Sequence, residues 1–95
     1  MQYEIKQVKS QSAYEWNYEN GAVVLVSYTT PVAVYVPGDG FIETNQKFSR
    51  TTSKHISQWK NRHGVTQART VPQEEIKGWV VLLSTQEMQR TTVVR

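Results

Sequence analysis

The stretch "AYEWNYENGAVVLVSYTT", residues 13–30, decides the fold, because it has the pattern of two β-strands joined by a tight turn. Asn20-Gly21 separates a run rich in aromatic residues from a run of aliphatic ones. An Asn-Gly pair in this position favours a hairpin, since both central residues of the turn need positive φ. We therefore expect residues 13–18 to pair with residues 22–29 as an antiparallel hairpin.

Signals on either side extend this hairpin into a sheet. "PGDG" at 37–40 separates "PVAVYV" from "FIETN" and predicts a second hairpin. Residues 2–8 alternate between polar and apolar and predict an edge strand. Pro31 has no N–H to donate, so it marks a bulge or a strand break. Residues 2–45 thus predict an antiparallel β-meander of four to five short strands.

Helical periodicity begins after Arg50 and predicts an amphipathic helix over about 51–62. Its inward stripe consists of Thr52, Ile56, Trp59 and His63, and His55 falls at the margin of that stripe. Thr51, Thr52 or Ser53 is the expected N-cap, and Gly64 is the natural residue just beyond the helix end.

A second element spans about 72–83. Pro72 suits the first turn of a helix, and Glu74 and Glu75 suit its dipole. Its buried side would then consist of Ile76, Trp79, Val80 and Leu83. Gly78 and the β-branched residues after it leave a strand as an alternative over residues 79–84. The tail 91–95 is expected to be an edge strand or disordered.

The expected fold class is therefore α+β, with the β-meander packed by one or two helices in a single domain covering residues 1–95. The chain has no cysteine, which excludes disulfides, thiolate zinc sites and cysteine nucleophiles. No apolar run approaches the roughly 20 residues of a membrane span, and the N-terminus lacks the apolar core of a signal peptide. We expect a soluble protein of the cytoplasm with no membrane partner. Because a chain this small buries a limited core, we also expect a homo-oligomer.

The net charge of +3 is unevenly distributed along the chain. Residues 1–46 carry a net charge of −3, residues 71–95 are neutral, and residues 47–70 contain six cations and no acid. The six are Lys47, Arg50, Lys54, Lys60, Arg62 and Arg69. Such a concentration of positive charge attracts phosphate-bearing partners.

Catalytic and metal-binding patterns are weak. His55 and His63 lie eight residues apart, two helical turns, which is too far to chelate one ion through that helix alone. No acid stands near them in sequence to orient a base. Glu74 and Glu75 are adjacent and suit a helix dipole better than an acid–base pair. We expect neither an enzyme nor a site for a metal or cofactor.

The basic segment suits an anion more specifically. "RTTSKH" at 50–55 brings a helix N-terminus, hydroxyl groups and cations together, and free N–H groups at such an end favour a phosphate. The candidate ligand-binding residues are Arg50, Thr51, Thr52, Lys54, His55, Lys47 and Tyr28. The alternative is that the hydroxyl groups only cap the helix and the cations only keep the domain soluble.

Three aromatic residues of the first hairpin, Tyr14, Trp16 and Tyr18, share one face of their strand because they lie two residues apart. Their simplest role is to form part of the core. A platform on which nucleobases stack is the alternative.

Two segments carry a resemblance. "SYTTPVA", residues 27–33, and "FSRTTSKH", residues 48–55, resemble a family of small, mostly uncharacterised proteins of tailed bacteriophages. That family has a strand "SYxTPVA" followed by a helix start "(Y/F)SxTTSxH". The likeness covers about a third of the chain, residues 24–59, and the part after Gly64 has no counterpart in it. The resemblance implies a phage accessory protein and carries over no catalytic residue.

Three functional hypotheses follow. The first is a non-enzymatic phage protein that sequesters a phosphate-bearing nucleotide signal of host immunity in the cytoplasm of the infected cell. The second is a nucleic-acid-binding protein that uses residues 47–70 to track the backbone. Six cations are few for that role, so the small ligand is favoured over nucleic acid. The third is an inhibitor of a host protein that acts through a β-edge.

Overall fold

A six-stranded sheet with a helix on each face forms the protein. The computed structural model describes residues 12–86 and 89–93, the latter by their backbone. The elements are β1 Ala13–Tyr18, β2 Val23–Ser27, β3 Thr30–Val36, β4 Gly40–Thr44, α1 Arg50–Arg62, β5 Arg69–Val71, α2 Gln73–Gln86 and β6 Gln89–Val93. The strand order across the sheet is β5-β4-β3-β2-β1-β6. This α+β architecture confirms the expected fold class.

Both predicted hairpins are present. β1 and β2 pair antiparallel with Trp16 opposite Val24, and Gly21 supplies the positive φ that the turn needs, at 97°. The Asn20 side chain accepts a hydrogen bond from the N–H of Ala22, which closes the turn. β3 and β4 form the second hairpin around residues 37–39.

The irregularity predicted at Pro31 is a β-bulge. Leu25 pairs with Ala33 and Val26 pairs with Pro31, so Val32 is the extra residue on β3. The β2–β3 turn that follows Ser27 holds Tyr28 at a φ of 59°, in the left-handed region that residues other than glycine rarely adopt.

Two strands at the edges complete the sheet. β5 pairs parallel with β4, which the prediction of a purely antiparallel meander missed. A strand of three residues after a polar loop is too short to show alternation. β6 pairs antiparallel with β1, so the tail does provide an edge strand over residues 89–93. The edge strand predicted for residues 2–8 lies outside the described residues.

The second helix prediction is confirmed and the strand alternative is wrong, since α2 covers residues 73–86. Ile76 and Leu83 lie on the same face of α2, two turns apart, and are buried against Val24, Val26 and Val34 of the sheet. This packing outweighs the local preference of the β-branched residues.

Trp79 and Val80 are partly buried beside Ile76 and Leu83. Tyr14 and Trp16 of β1 are also partly buried there, and Tyr18 is fully inside the same cluster. The aromatic face of β1 therefore belongs to the core. Neither described helix is long and apolar enough to cross a membrane.

α1 covers the opposite face of the sheet. Thr52, Ile56 and Trp59 are buried as predicted, and Ile56 and Trp59 pack on Leu25 and Ala33. His63, which was also predicted to face inward, is exposed at the helix end. The predicted N-cap is wrong, because the helix begins one residue earlier than expected and Ser49 caps it. His63 is the C-cap, and Gly64 follows with a φ of 66°.

Trp59 is 1 % exposed and lies in one buried cluster with Leu25 and Ala33 of the sheet, so Trp59→Ala should lower the free energy of unfolding by about 3–5 kcal/mol. Urea denaturation measures this change. Val81→Ala is the control, because Val81 is 63 % exposed on α2 and its truncation should change stability by less than about 0.5 kcal/mol. Equal midpoints for Trp59→Ala and the unsubstituted protein would show that α1 does not pack as described.

Candidate functional site

A chain of hydrogen bonds, buried at its Ser27 end, joins the first turn of α1 to the end of β2. Ser49 Oγ accepts from the Thr52 N–H at 3.1 Å and donates to Thr52 Oγ1 at 3.2 Å. Thr52 Oγ1 lies 2.9 Å from Ser27 Oγ, which in turn lies 2.8 Å from His55 Nδ1. A donor order consistent with every contact has Thr52 donating to Ser27 and Ser27 donating to the imidazole. Both segments that carry the phage resemblance thus meet at this chain.

The environment of His55 fits this order. Burial lowers the pKa of His55 below its usual 6.5, and the neighbouring Lys54 charge lowers that pKa further. In this donor order a neutral imidazole accepts the hydrogen bond at Nδ1 and carries its own hydrogen on Nε2.

The separation of Ser27 and His55 equals that of a nucleophile and its base. Ser27, however, is only 2 % exposed, and its Oγ is also engaged by Thr52. A substrate would have no access to that oxygen in this arrangement. We therefore interpret the pair as a support that fixes α1 on the sheet.

The residues predicted to contact a ligand fall into two groups. Thr52 and His55 are each 5 % exposed and lie beneath the surface, so they position the helix instead of lining a site. Tyr28 is 51 % exposed, and its ring centroid lies 5.8 Å from that of His55. The other four are exposed at or before the start of α1: Lys47, Arg50, Thr51 and Lys54.

A second polar cluster, which the sequence did not reveal, fixes the other end of α1. The carboxylate of Glu15 on β1 is buried and accepts from Trp59 Nε1 at 2.7 Å. His63 Nε2 lies 2.7 Å from the same oxygen, and Arg62 Nη2 lies 3.2 Å from it. The signal was the alternation of β1, which places Glu15 on the face opposite the aromatic residues.

Carboxylates from elsewhere in the fold pair with three of the six cations of the basic segment. Lys60 contacts Glu43 at 3.0 Å, Arg62 contacts Glu15, and Arg69 contacts Glu75 at 3.5 Å. Three of the six cations are therefore paired with carboxylates that lie outside the basic segment in sequence. Lys47, Arg50 and Lys54 form no ion pair within residues 12–86.

These three cations lie beside exposed aromatic rings. Phe48 is 39 % exposed and, with Lys47 and Arg50, lines a recess of about 360 Å³. Lys54 follows Arg50 by one helical turn and precedes His55, whose ring contacts that of Tyr28. We call this region, formed by Lys47, Phe48, Arg50, Thr51, Lys54 and Tyr28, the α1 N-terminal surface. Over the described part of the chain, no group of three or more His, Cys, Asp or Glu side chains could hold a metal ion.

The lowered pKa of His55 makes stability depend on pH. The unfolded chain takes up a proton at His55 near pH 6.5, whereas the folded chain takes it up at lower pH. The stabilisation is therefore fully present above about pH 6.5 and declines as the pH falls toward the folded value. We expect the melting temperature to fall for this reason between pH 7.5 and 5.5. It should fall less in His55→Asn, which retains a polar atom near Nδ1. Equal slopes for the two proteins would contradict a neutral, buried His55.

Comparison with known proteins places the chain in a family without giving it an activity. No curated protein and no solved structure matches it. A family model described as a family of unknown function, DUF8033, matches residues 3–78. This match includes both polar clusters that fix α1 and extends on both sides of residues 24–59, which the phage resemblance covers. The chain therefore belongs to the DUF8033 family.

Proposed function

We propose that the protein binds a phosphate-bearing nucleotide at the α1 N-terminal surface and does not transform it. The observation that supports this proposal concerns the charge partners of Lys47, Arg50 and Lys54. They have no carboxylate partner within the described residues, although the other three cations of the basic segment each have one. Cations left without a local counter-charge are available to an anionic ligand.

The chemistry of the surface suits a nucleotide. The Arg50 guanidinium can bind two phosphate oxygens at once, and Lys47 and Lys54 add mobile point charges. The N–H groups of Arg50 and Thr51 precede the first bonds of the helix ladder and add partial positive charge. Tyr28 and Phe48 offer exposed rings on which a base can stack.

The two polar clusters support the proposal because they hold α1 rigidly. Ser27 anchors the first turn of the helix and Glu15 anchors the last, with Trp59 packed between them. A rigid helix presents its charges without an ordering cost at the moment of binding.

Three available cations favour a small ligand over a polymer. For a single strand, the logarithm of affinity falls with the logarithm of salt by about 0.7 per neutralised phosphate, so three contacts give a slope of about −2. Nucleic-acid modules usually carry more charge than this. Tracking of a backbone by all of residues 47–70 would have to displace three ion pairs.

The resemblance to phage proteins supplies the biological context of the proposal. A phage accessory protein that binds a nucleotide without transforming it would act in the cytoplasm of the infected host by sequestering a signal of host immunity. Self-association stays a prediction, as does the role of the chain in infection. Inhibition of a host protein through a β-edge becomes the leading hypothesis if no nucleotide binds.

Arg50→Gln should weaken the binding of ADP-ribose or cyclic di-AMP by about ten- to a hundred-fold, because it removes a charge-assisted contact. Isothermal titration calorimetry at two salt concentrations measures both the affinity and its salt slope. Lys77→Gln on α2 is the matched control, since it removes one exposed cation from the opposite side of the sheet.

Unchanged affinity for Arg50→Gln would remove the proposed site. A dissociation constant above about 100 μM for every nucleotide tested would remove the proposed function. Native mass spectrometry of the protein from producing cells adds an independent result, because it reports a retained nucleotide and the number of subunits together.

A further inference from the structure

The α1 N-terminal surface continues into a groove along the outer side of α1. The recess at Lys47 and Arg50 shares Lys47 and Ser53 with a second recess of about 190 Å³. The second recess lies between α1 and the connection from β4, and it ends at Glu43 and Lys60. We call this continuous depression, from Arg50 to Lys60, the α1 groove.

One face of the helix lines the α1 groove with hydrogen-bond donors. Arg50, Ser53, Ser57 and Lys60 occur at spacings of three, four and three residues, which places them on one stripe. At 1.5 Å per residue, the stripe is about 15 Å long. Its two ends are cationic and its middle carries two exposed hydroxyl groups. A mononucleotide phosphate would occupy only one end.

We infer that the ligand is a short linear oligonucleotide whose phosphodiester backbone lies along the α1 groove. This inference depends on the proposed function and narrows its ligand class. One phosphate is held by Lys47 and Arg50, the hydroxyl groups of Ser53 and Ser57 donate to the backbone between, and a later phosphate reaches Lys60. The linear stripe favours a linear ligand over a cyclic one.

The ion pair at Lys60 sets the length of that ligand. Lys60 Nζ has three donor hydrogens, and Glu43 Oε2 takes one of them at 3.0 Å. The pair is partly exposed, so the remaining donors can reach a phosphate. Beyond Lys60 the surface contains Asp39 and Glu43 together with Arg69, whose guanidinium already pairs with Glu75. These lining residues offer a longer phosphate chain two carboxylates and no unpaired cation. The charge pattern therefore favours about three nucleotides.

A length series tests the inference. Calorimetric titration with 5′-AMP, with linear adenylate di- and trinucleotides bearing a 5′-phosphate, and with the hexanucleotide should show affinity rising about tenfold or more from one nucleotide to three. Affinity per site should then rise no further from three to six.

Two substitutions with opposite expected effects on affinity distinguish binding along the α1 groove from binding at the α1 N-terminal surface alone. Lys60→Gln should weaken the trinucleotide about tenfold and leave 5′-AMP unchanged, because only the longer ligand reaches Lys60. Glu43→Gln should strengthen the trinucleotide, since it removes a competing carboxylate. Arg50→Gln should weaken both ligands, and Lys77→Gln should weaken neither. Thermal melts check that each variant is folded.

The possible failures differ in meaning. If 5′-AMP and the trinucleotide bind equally and Glu43→Gln changes neither, the groove inference is wrong while the proposed function stands. If no nucleotide of any length binds, the proposed function fails and the inference fails with it. Hexaglutamate binding as tightly as the trinucleotide would overturn the inference, because it would show that the groove selects charge and not a phosphodiester backbone.

Discussion

The hydroxyl group of Ser27 fixes the position of α1 on the sheet. It lies inside the protein at the end of β2 and joins two groups of α1, Thr52 and His55, to the sheet. A buried hydroxyl without partners costs about 1–3 kcal/mol, so α1 has one favourable position, the one that satisfies all three groups. Because hydrogen bonds are directional and apolar packing is not, this chain fixes the position of the helix where Ile56 and Trp59 alone would permit small shifts.

The same principle operates at the other end of α1, where the buried Glu15 carboxylate collects donors from Trp59, Arg62 and His63. A buried carboxylate is stable only when it is compensated in this way. Glu15 pairs with Arg62, and Glu43 pairs with Lys60. These ion pairs divide the cations of the basic segment into two classes. Paired cations maintain the fold, and the cations near the start of α1 remain available for a ligand. Lys60 can do both, because its pair with Glu43 is partly exposed.

Local patterns predicted most of the fold. Asn20-Gly21 and the "PGDG" turn predicted the two hairpins, Pro31 predicted the bulge, and the stripe of Thr52, Ile56 and Trp59 predicted α1. These features succeed because they depend on neighbouring residues.

What the sequence did not reveal depends on contacts between distant residues. Ser27 is separated from His55 by 28 positions, Glu15 from Trp59 by 44, and β5 pairs with a strand about 27 residues earlier. Whether a histidine in a basic segment faces solvent or a buried serine is decided by the sheet beneath it. For the same reason the sequence correctly found the cationic segment but could not tell its paired cations from its unpaired ones.

We propose that α1, held at both ends, presents a phosphate-binding surface at its start. This surface can be mapped by titrating ¹⁵N-labelled protein with the linear adenylate trinucleotide and recording ¹H–¹⁵N correlation spectra. We expect shifts concentrated in the amides of residues 47–60, including the N–H groups of Arg50 and Thr51, with Gly78 on the opposite face unchanged. Shifts centred on α2, or no shifts at millimolar nucleotide, would contradict it.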